Sequence, residues 1–381
     1  MEYRSDVVTL RGTRVHRVDA PDGPNDFFTL APDLLCVAGV DGYFKTVNPA
    51  WSRTLGYTRE ELLARPYLEL VHPDDRPATV AEASKLASGF PTVSFRNRYR
   101  CKDGTYKWLA WTATEALVDG AIYASARDIT NQVLASEQHA RTLLERDRAE
   151  ARVRALLAGP GPRIVFQPIF TLCSGDVLGF EALSRFDAIP RRTPDLWFAE
   201  AASVGLGPDL EMRAIRRALD LSSYLPRQAF ASVNLSPATL LAGNLAEALV
   251  ASPPERLVLE ITEHAAIADY AVLKQTLREL RRQGMRLAID DAGAGYAGLN
   301  HIVELVPEFI KLDLFLTRGI DGDAVKRALA AALVSFARDV GAALIAEGVE
   351  TAAELRVLEE LGVQHAQGFY LGRPLPLPFD A

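Results

Sequence analysis

One apolar run after another in the second half of the chain ends in acids, amides or a lysine. "GDVLGFEALSR" reaches Glu181, "FASVNLS" reaches Asn234, and "RLVLEITE" reaches Glu260 and Glu263. "RLAIDD" ends on Asp290 and Asp291, "FIKLD" carries Lys311 and Asp313, and "ALIAEGVE" carries Glu347 and Glu350. "RIVFQPI" ends near Gln167, and "HAQGFYLG" surrounds Gln367. Carboxylates gathered within a few ångström repel one another unless a cation lies between them. The ligand candidates Glu181, Asn234, Glu260, Asp290 and Asp291 are all oxygen donors, with no His or Cys among them, which selects Mg²⁺ or Mn²⁺ over zinc. Adjacent aspartates can divide their oxygens between two such ions, and a dinuclear site neutralises charge and activates water in phosphodiester hydrolysis. Because glycine follows closely, Asp290 and Asp291 also suit the start of a turn. Lys311 lies two residues before Asp313, hence on the same side of its strand. It is suited to position or deprotonate a water, or to form a plain ion pair.

Strands must bring these residues together. From "GPGPRIVFQPIF" onward, apolar runs alternate with helical segments such as "AVLKQTLRELRRQGM" and "AVKRALAAALVSFARDVG". Roughly eight strand-helix units predict an α/β fold, a TIM-like (β/α)8 barrel whose site forms at the C-terminal ends of its strands. A doubly wound sheet is the alternative, but it does not gather so many strand-end acids around one centre.

The first half reads differently. Residues 27–130 hold short aromatic-rich alternating runs punctuated by "DG" at 41–42, 103–104 and 119–120, the pattern of an antiparallel sheet with hairpin turns. Helical segments lie among them, and Thr58 followed by Glu61 predicts a capping box, so this half is a small α+β module. Residues 131–157 contain no Gly or Pro and predict one connecting helix. Val133, Ala140, Leu144 and Ala151 suggest a coiled-coil seam, interrupted by Asp147 and Arg154. The expected boundaries are a tail at 1–26, the α+β domain at 27–131, the helix at 132–158 and the barrel at 159–381.

Composition narrows the function classes. The formal net charge of -7 over 381 residues disfavours nonspecific binding to a nucleic acid duplex. Cys36, Cys101 and Cys173 are widely spaced, without a C-x-x-C, which argues against disulfides and structural zinc. The charged N-terminus offers no signal peptide, and the best apolar run, residues 328–337, is too short to span a bilayer. A cytoplasmic protein with no membrane partner is expected.

The same residues carry a family resemblance. "FEALSRF" resembles the signature of EAL-domain cyclic di-GMP phosphodiesterases, and "VNLSP", "LEITE", "IDDAGAGY", "IKLD", "AEGVET" and "QGFYLGRP" follow in that family's order. The resemblance implies cyclic di-GMP as ligand and substrate, with one phosphodiester opened to give linear pGpG. It implies two Mg²⁺ or Mn²⁺ ions, one held by Glu181, Asn234, Glu260 and Asp290, the other by Asp290 and Asp291. By the same resemblance Glu347 acts through the second ion's water shell and Lys311 holds the nucleophile. Gln167, Leu183, Arg185 and Gln367 contact substrate or its ordered water, and Glu263 anchors the loop after strand five. That loop departs from the family's D-D-F-G-T-G-Y-S-S-L: Ala292 replaces Phe, Ala294 replaces Thr, and Ala297 with Gly298 replaces two serines. The departure keeps a second function open, a cyclic di-GMP receptor that signals to protein partners without efficient hydrolysis.

"DGYFKTVNPAWSRTLGYTREELL", "HPDDR", "KDGTYKWL" and "RDIT" resemble a PAS sensor domain. This implies a sensor fold and often a homodimer, but no particular ligand. No flavin-binding cysteine motif or haem histidine marks a PAS cofactor. His72, Trp51, Trp108 and Trp111 read as structural residues.

Overall fold

The computed structural model describes residues 8–10, 13–15, 24–115, 121–242, 245, 253–262, 267, 269–292 and 296–378, without the side chains of 8–10, 13–15, 24, 25, 115, 291 and 296–298. The chain divides into two compact units, Met1–Leu143 and Leu144–Ala381.

The first unit begins with a two-stranded ribbon, β1 (Val8–Leu10) with β2 (Thr13–Val15), and helix α1 (Pro24–Leu30). Its main sheet contains β3 (Leu34–Gly39), β4 (Phe44–Val47), β5 (Thr92–Arg100), β6 (Tyr106–Glu115) and β7 (Ala121–Asp128), in the antiparallel order β4-β3-β7-β6-β5. The "DG" pairs at 41–42 and 103–104 lie in the β3–β4 and β5–β6 connections, while 119–120 lies outside the described residues. Helices α2 (Pro49–Leu55), α3 (Arg59–Leu63), α4 (Tyr67–Leu70) and α5 (Arg76–Ala87) fill the β4–β5 connection. Thr58 and Glu61 form the expected capping box at α3. The aromatic residues are structural: buried Trp51 donates through Nε1 to the Leu35 carbonyl at 3.1 Å, and Trp111 Nε1 donates to Asn97 Oδ1 at 2.7 Å. His72 Nδ1 accepts from the Asp74 backbone at 3.3 Å, and its ring packs edge-on against Tyr106.

Helix α6 (Thr130–Ala158) links the units in sequence. Of its suggested seam, Ala140, Leu144 and Ala151 are exposed, whereas the buried positions are Ala149 and Val153. The period of the buried stripe is set by packing within the second unit, where Val153 clusters with Ala201 and Leu210.

The second unit is a closed eight-stranded barrel. Its strands are β8 (Arg163–Thr171), β9 (Val177–Arg185), β10 (Phe230–Asn234), β11 (Leu257–Thr262), β12 (Arg286–Ala292), β13 (Phe309–Leu312), β14 (Ala343–Ala346) and β15 (His365–Ala366), closing in the order β10-β11-β12-β13-β14-β15-β8-β9. Helices α7 (Pro194–Ser203), α8 (Gly207–Ser222), α9 (Pro237–Leu241), α10 (Tyr270–Arg282), α11 (Tyr296–Leu305), α12 (Leu314–Thr317), α13 (Ala324–Val340) and α14 (Ala352–Glu360) lie between the strands in sequence. The barrel is not a uniform strand-helix repeat. β8 and β9 form a hairpin, and β8 runs antiparallel to both β9 and β15. The five residues between them are too few for a parallel crossover, which needs a dozen or more. Gln167 consequently sits mid-strand, opposite Glu181, rather than at a strand end.

One end of the barrel is plugged. Ile169, Phe230, Val258, Ala288, Phe309 and Ile345 form an apolar cluster, and the Arg286 guanidinium lies 4.8 Å from the Phe230 ring centre and 5.4 Å from that of Phe309. Gly179 makes room for this packing, since a Cβ there would lie 2.6 Å from the Phe230 ring. Polar side chains are thereby left to the opposite end, where the parallel strands finish. Among the described residues, no helix is long and apolar enough to cross a membrane.

Candidate active site

Neighbouring strands deliver Glu181 from β9, Asn234 from β10, Glu260 from β11, Asp290 from β12 and Lys311 from β13. Register aligns Asn234 with Glu260 and Thr262 with Asp290. Glu347 and Gln367 immediately follow β14 and β15. The Gln367 backbone donates to the Ala346 carbonyl at 2.8 Å, and Val349 N donates to the Gln367 carbonyl at 3.1 Å, which fixes where the amide side chain starts.

Lys311 is fully buried at the centre. Its Nζ lies 2.7 Å from Glu347 Oε1, 2.8 Å from Glu260 Oε2, 3.3 Å from Asp290 Oδ1 and 3.5 Å from Glu181 Oε1. Gln367 Nε2 donates to Glu181 Oε2 at 2.7 Å and to Glu347 Oε1 at 2.9 Å, and Asn234 Nδ2 donates to Glu181 Oε1 at 3.1 Å. Six of the expected site residues are therefore bound directly to one another, with Asp290 joined through Lys311.

Four carboxylates share one ammonium. Burial opposes charge on Lys311, but Asp290, Glu181, Glu260 and Glu347 outweigh it and hold its pKa well above the usual lysine value. Burial raises Glu181 as well, yet Lys311 and the Gln367 and Asn234 amides bring it below the usual carboxylate value. Glu260 is pushed up to about 8, mainly by burial, against the pull of Lys311 and with help from Glu181 and Asp290. Burial also lifts Glu347 well above the ordinary range. Carboxyls with separated pKa values in one site are suited to different acid and base roles.

The donor set fits a hard divalent cation. Every group is an oxygen donor or Lys311, and negative charge exceeds positive. Among the described residues, Glu260 Oε1 and Gln367 Oε1 are buried without a hydrogen-bond partner. Among the described residues, no three His, Cys, Asp or Glu side chains already form a cation-holding group; the carboxylates converge on the ammonium instead. The Asp291 side chain and all of Glu263 lie outside the described residues. The β12–β13 pairing shifts register between Ile289 and Ala292.

A cavity of about 400 Å³ shares Asn234 with this cluster and is lined also by Leu183, Arg185, Pro194, Asp195 and Phe198 among others. Among the described residues, Arg185 donates to the adjacent Ser184 carbonyl, leaving most of its donors available to an anionic ligand. Gln167 lies apart from this cavity's lining and donates to the Gly372 carbonyl at 3.1 Å.

Two supporting residues escaped sequence reasoning. Buried Glu354 accepts from the backbone nitrogens of Gly319, Glu350 and Thr351 and so ties down the loop after Glu347. The T-x-x-E spacing of Thr351 and Glu354 was its available signal. Gly368 packs so closely on Val349 that a Cβ would lie 2.2 Å from its backbone N and O.

The EAL domain family matches residues 150–374, which span the barrel, and the PAS fold matches residues 44–119. The chain belongs to the EAL domain family. The probable cyclic di-GMP phosphodiesterase PdeD of Escherichia coli is 30% identical over 221 residues, covering 55% of this chain and 41% of that protein. This chain spans less than half the length of the curated relatives it matches. Among solved structures, the Klebsiella pneumoniae BlrP1 manganese and cyclic di-GMP complex shares 32% identity and a TM-score of 0.52 over 57% of each chain. The PaMucR phosphodiesterase in complex with c-di-GMP shares 28% identity and a TM-score of 0.55, covering 60% of this chain and 98% of that one.

Proposed function

We propose that the EAL barrel hydrolyses cyclic di-GMP to linear pGpG with two Mg²⁺ or Mn²⁺ ions, and that the PAS domain at 27–131 regulates it through the connecting helix, in a cytoplasmic homodimer. The observation that carries this reading is the convergence of Glu181, Glu260, Asp290 and Glu347 on Lys311 at the barrel mouth. Glu181, Asn234, Glu260 and Asp290 are the ligands assigned to one ion, Asp290 and Asp291 to the other. When bound, the ions would neutralise the phosphodiester and favour water as nucleophile.

The chain's own residues supply the rest. Arg185 and Leu183 seat the dinucleotide in the cavity, with Arg185 paired to a phosphate, and Gln167 and Gln367 hold substrate or ordered water. Lys311 donates hydrogen bonds that hold the attacking water. The water oxygen adds to phosphorus, one bond from phosphorus to a ribose oxygen breaks, and that oxygen takes a proton. Glu347, whose carboxyl burial lifts above the ordinary range, is assigned to the second ion's water shell and to a part in that transfer. Glu263 is assigned the anchoring of the loop after strand five.

The test is incubation of purified protein with cyclic di-GMP in Mg²⁺ or Mn²⁺, with Ca²⁺ and chelator as controls, and resolution of products by chromatography and mass spectrometry. pGpG is expected from the wild type and none from Glu181→Ala. Binding without turnover under every metal condition would favour the receptor, the reading supported by the substituted loop after Asp291.

A further inference from the structure

We propose that Arg152 on α6 and Arg192 in the β9–α7 loop are positioning residues for the cavity lined by Leu183, Arg185 and Phe198, acting through Glu200 on α7. This rests on reading that cavity as the cyclic di-GMP site.

Helix α7 has two working faces. Trp197 and Ala201 are buried on one side, and Ala201 clusters with Val153 of α6 and Leu210 of α8. Pro194, Asp195 and Phe198 line the cavity together with Leu183 and Arg185. A shift of α7 therefore changes the wall against which a ligand is seated.

Glu200 fixes that wall to two other elements. Arg152 donates to Glu200 Oε2 through Nε at 3.2 Å and to Oε1 through Nη2, a two-pronged contact between guanidinium and carboxylate. Arg192 Nη1 lies 3.0 Å from the same Oε1. The Glu200 side chain is only 13% exposed, so the contact is less screened than a surface pair. Hydrogen bonds from Arg152 above all, then burial's opposition and Arg192, leave the Glu200 carboxyl below its ordinary pKa, so it remains charged.

The path continues by packing. The Arg192 guanidinium lies 5.1 Å from the Trp197 ring centre. Phe186, the residue after Arg185, packs 6.0 Å from Trp197 and edge-on against Phe198 at 5.6 Å. A displacement of α6 at Arg152 can thus reach Arg185 without Arg152 or Arg192 touching the ligand. Arg154, two residues along the same helix, pairs with Glu150 among the described residues and offers no such route.

The experiment compares Arg152→Met, Arg152→Lys, Glu200→Gln and Arg154→Met in the full chain. Cyclic di-GMP affinity is measured in Ca²⁺, alongside Tm without ligand and the kcat and KM for pGpG formation in Mg²⁺. Arg152→Met and Glu200→Gln are each expected to weaken Kd by about threefold to tenfold, a range typical of coupling residues remote from a ligand. KM should rise in proportion with kcat little changed, the double variant should fall short of additivity, Arg152→Lys should recover part of the loss, and Arg154→Met should match wild type. A lowered Tm with unchanged Kd would show a mere structural tie and overturn the proposal. Failure of the wild type to bind cyclic di-GMP would instead defeat the reading of the cavity, and this proposal with it.

Discussion

Lys311 Nζ and Glu347 Oε1 lie 2.7 Å apart, one from β13 and the other from the residue following its neighbour β14. The contact makes Lys311 the internal counter-ion of the acid cluster. It also defines what a bound cation must change, since Glu260 and Asp290 face the same ammonium.

Removing that ammonium leaves buried carboxylates without their cation. Lys311→Met is expected to destabilise the metal-free protein by about 3 kcal/mol, the scale for breaking a buried ion pair by deleting one partner. Thermal unfolding in chelator, then in Mg²⁺ or Mn²⁺, checks this. Added metal should recover part of the lost Tm while turnover stays abolished; equal losses with and without metal would contradict a cation site among these acids.

The pH dependence of the metal-free protein follows from Glu260. Its folded-state pKa of about 8 stands above the ordinary 4.5, so between those values the folded state retains a proton that the unfolded state has released. Stability from this group is full below pH 4.5 and is lost as pH rises toward about 8. Glu347 acts with the same sign, while lowered Glu181 contributes in the opposite sense at more acidic pH. Tm in chelator should therefore fall from pH 5 to pH 8, a slope of order 1 kcal/mol per pH unit for one proton. Glu260→Gln should flatten it.

Some of this architecture was legible because polar residues interrupt apolar strands. Glu181, Glu260, Asp290 and Lys311 each stand within a run otherwise made for a barrel wall, and only a shared site justifies them there. The antiparallel course of β8 was less visible, since a strand of mixed apolar residues carries no sign of its direction. The register shift after Ile289 and the close fit of Gly368 on Val349 depend on neighbours distant in sequence. Glu200 looked like an ordinary helix acid, and its importance comes from two arginines, 48 residues before it in one case.

Gly368 offers a test of side-chain placement without touching an acid. Ala at this position would press a Cβ onto the Val349 backbone and displace Gln367 from Glu181 and Glu347. Gly368→Ala should reduce kcat/KM by about 10²-fold, the cost of misplacing a site by an ångström. Far-UV circular dichroism should still report a folded barrel. Wild-type turnover would mean that the Gln367 contacts are not needed in the reacting complex.

Helix α6 supplies the test of assembly. Residues 134–148 are exposed on every face of the helix, including Leu134, Leu143 and Leu144 at 46–55% exposure. An isolated helix of that length is marginal in water, and a matching helix from a second copy would cover the leucines while leaving the charged positions in solvent. Leu144 belongs to the suggested seam, so Leu144→Glu is expected to weaken dimerisation by at least about tenfold, because each subunit buries one charge against the other. Sedimentation velocity over a concentration series measures it. A wild type that stays monomeric at tens of micromolar, or a Leu144→Glu variant with unchanged dimerisation, would remove α6 as the dimer contact and leave regulation to act within one chain.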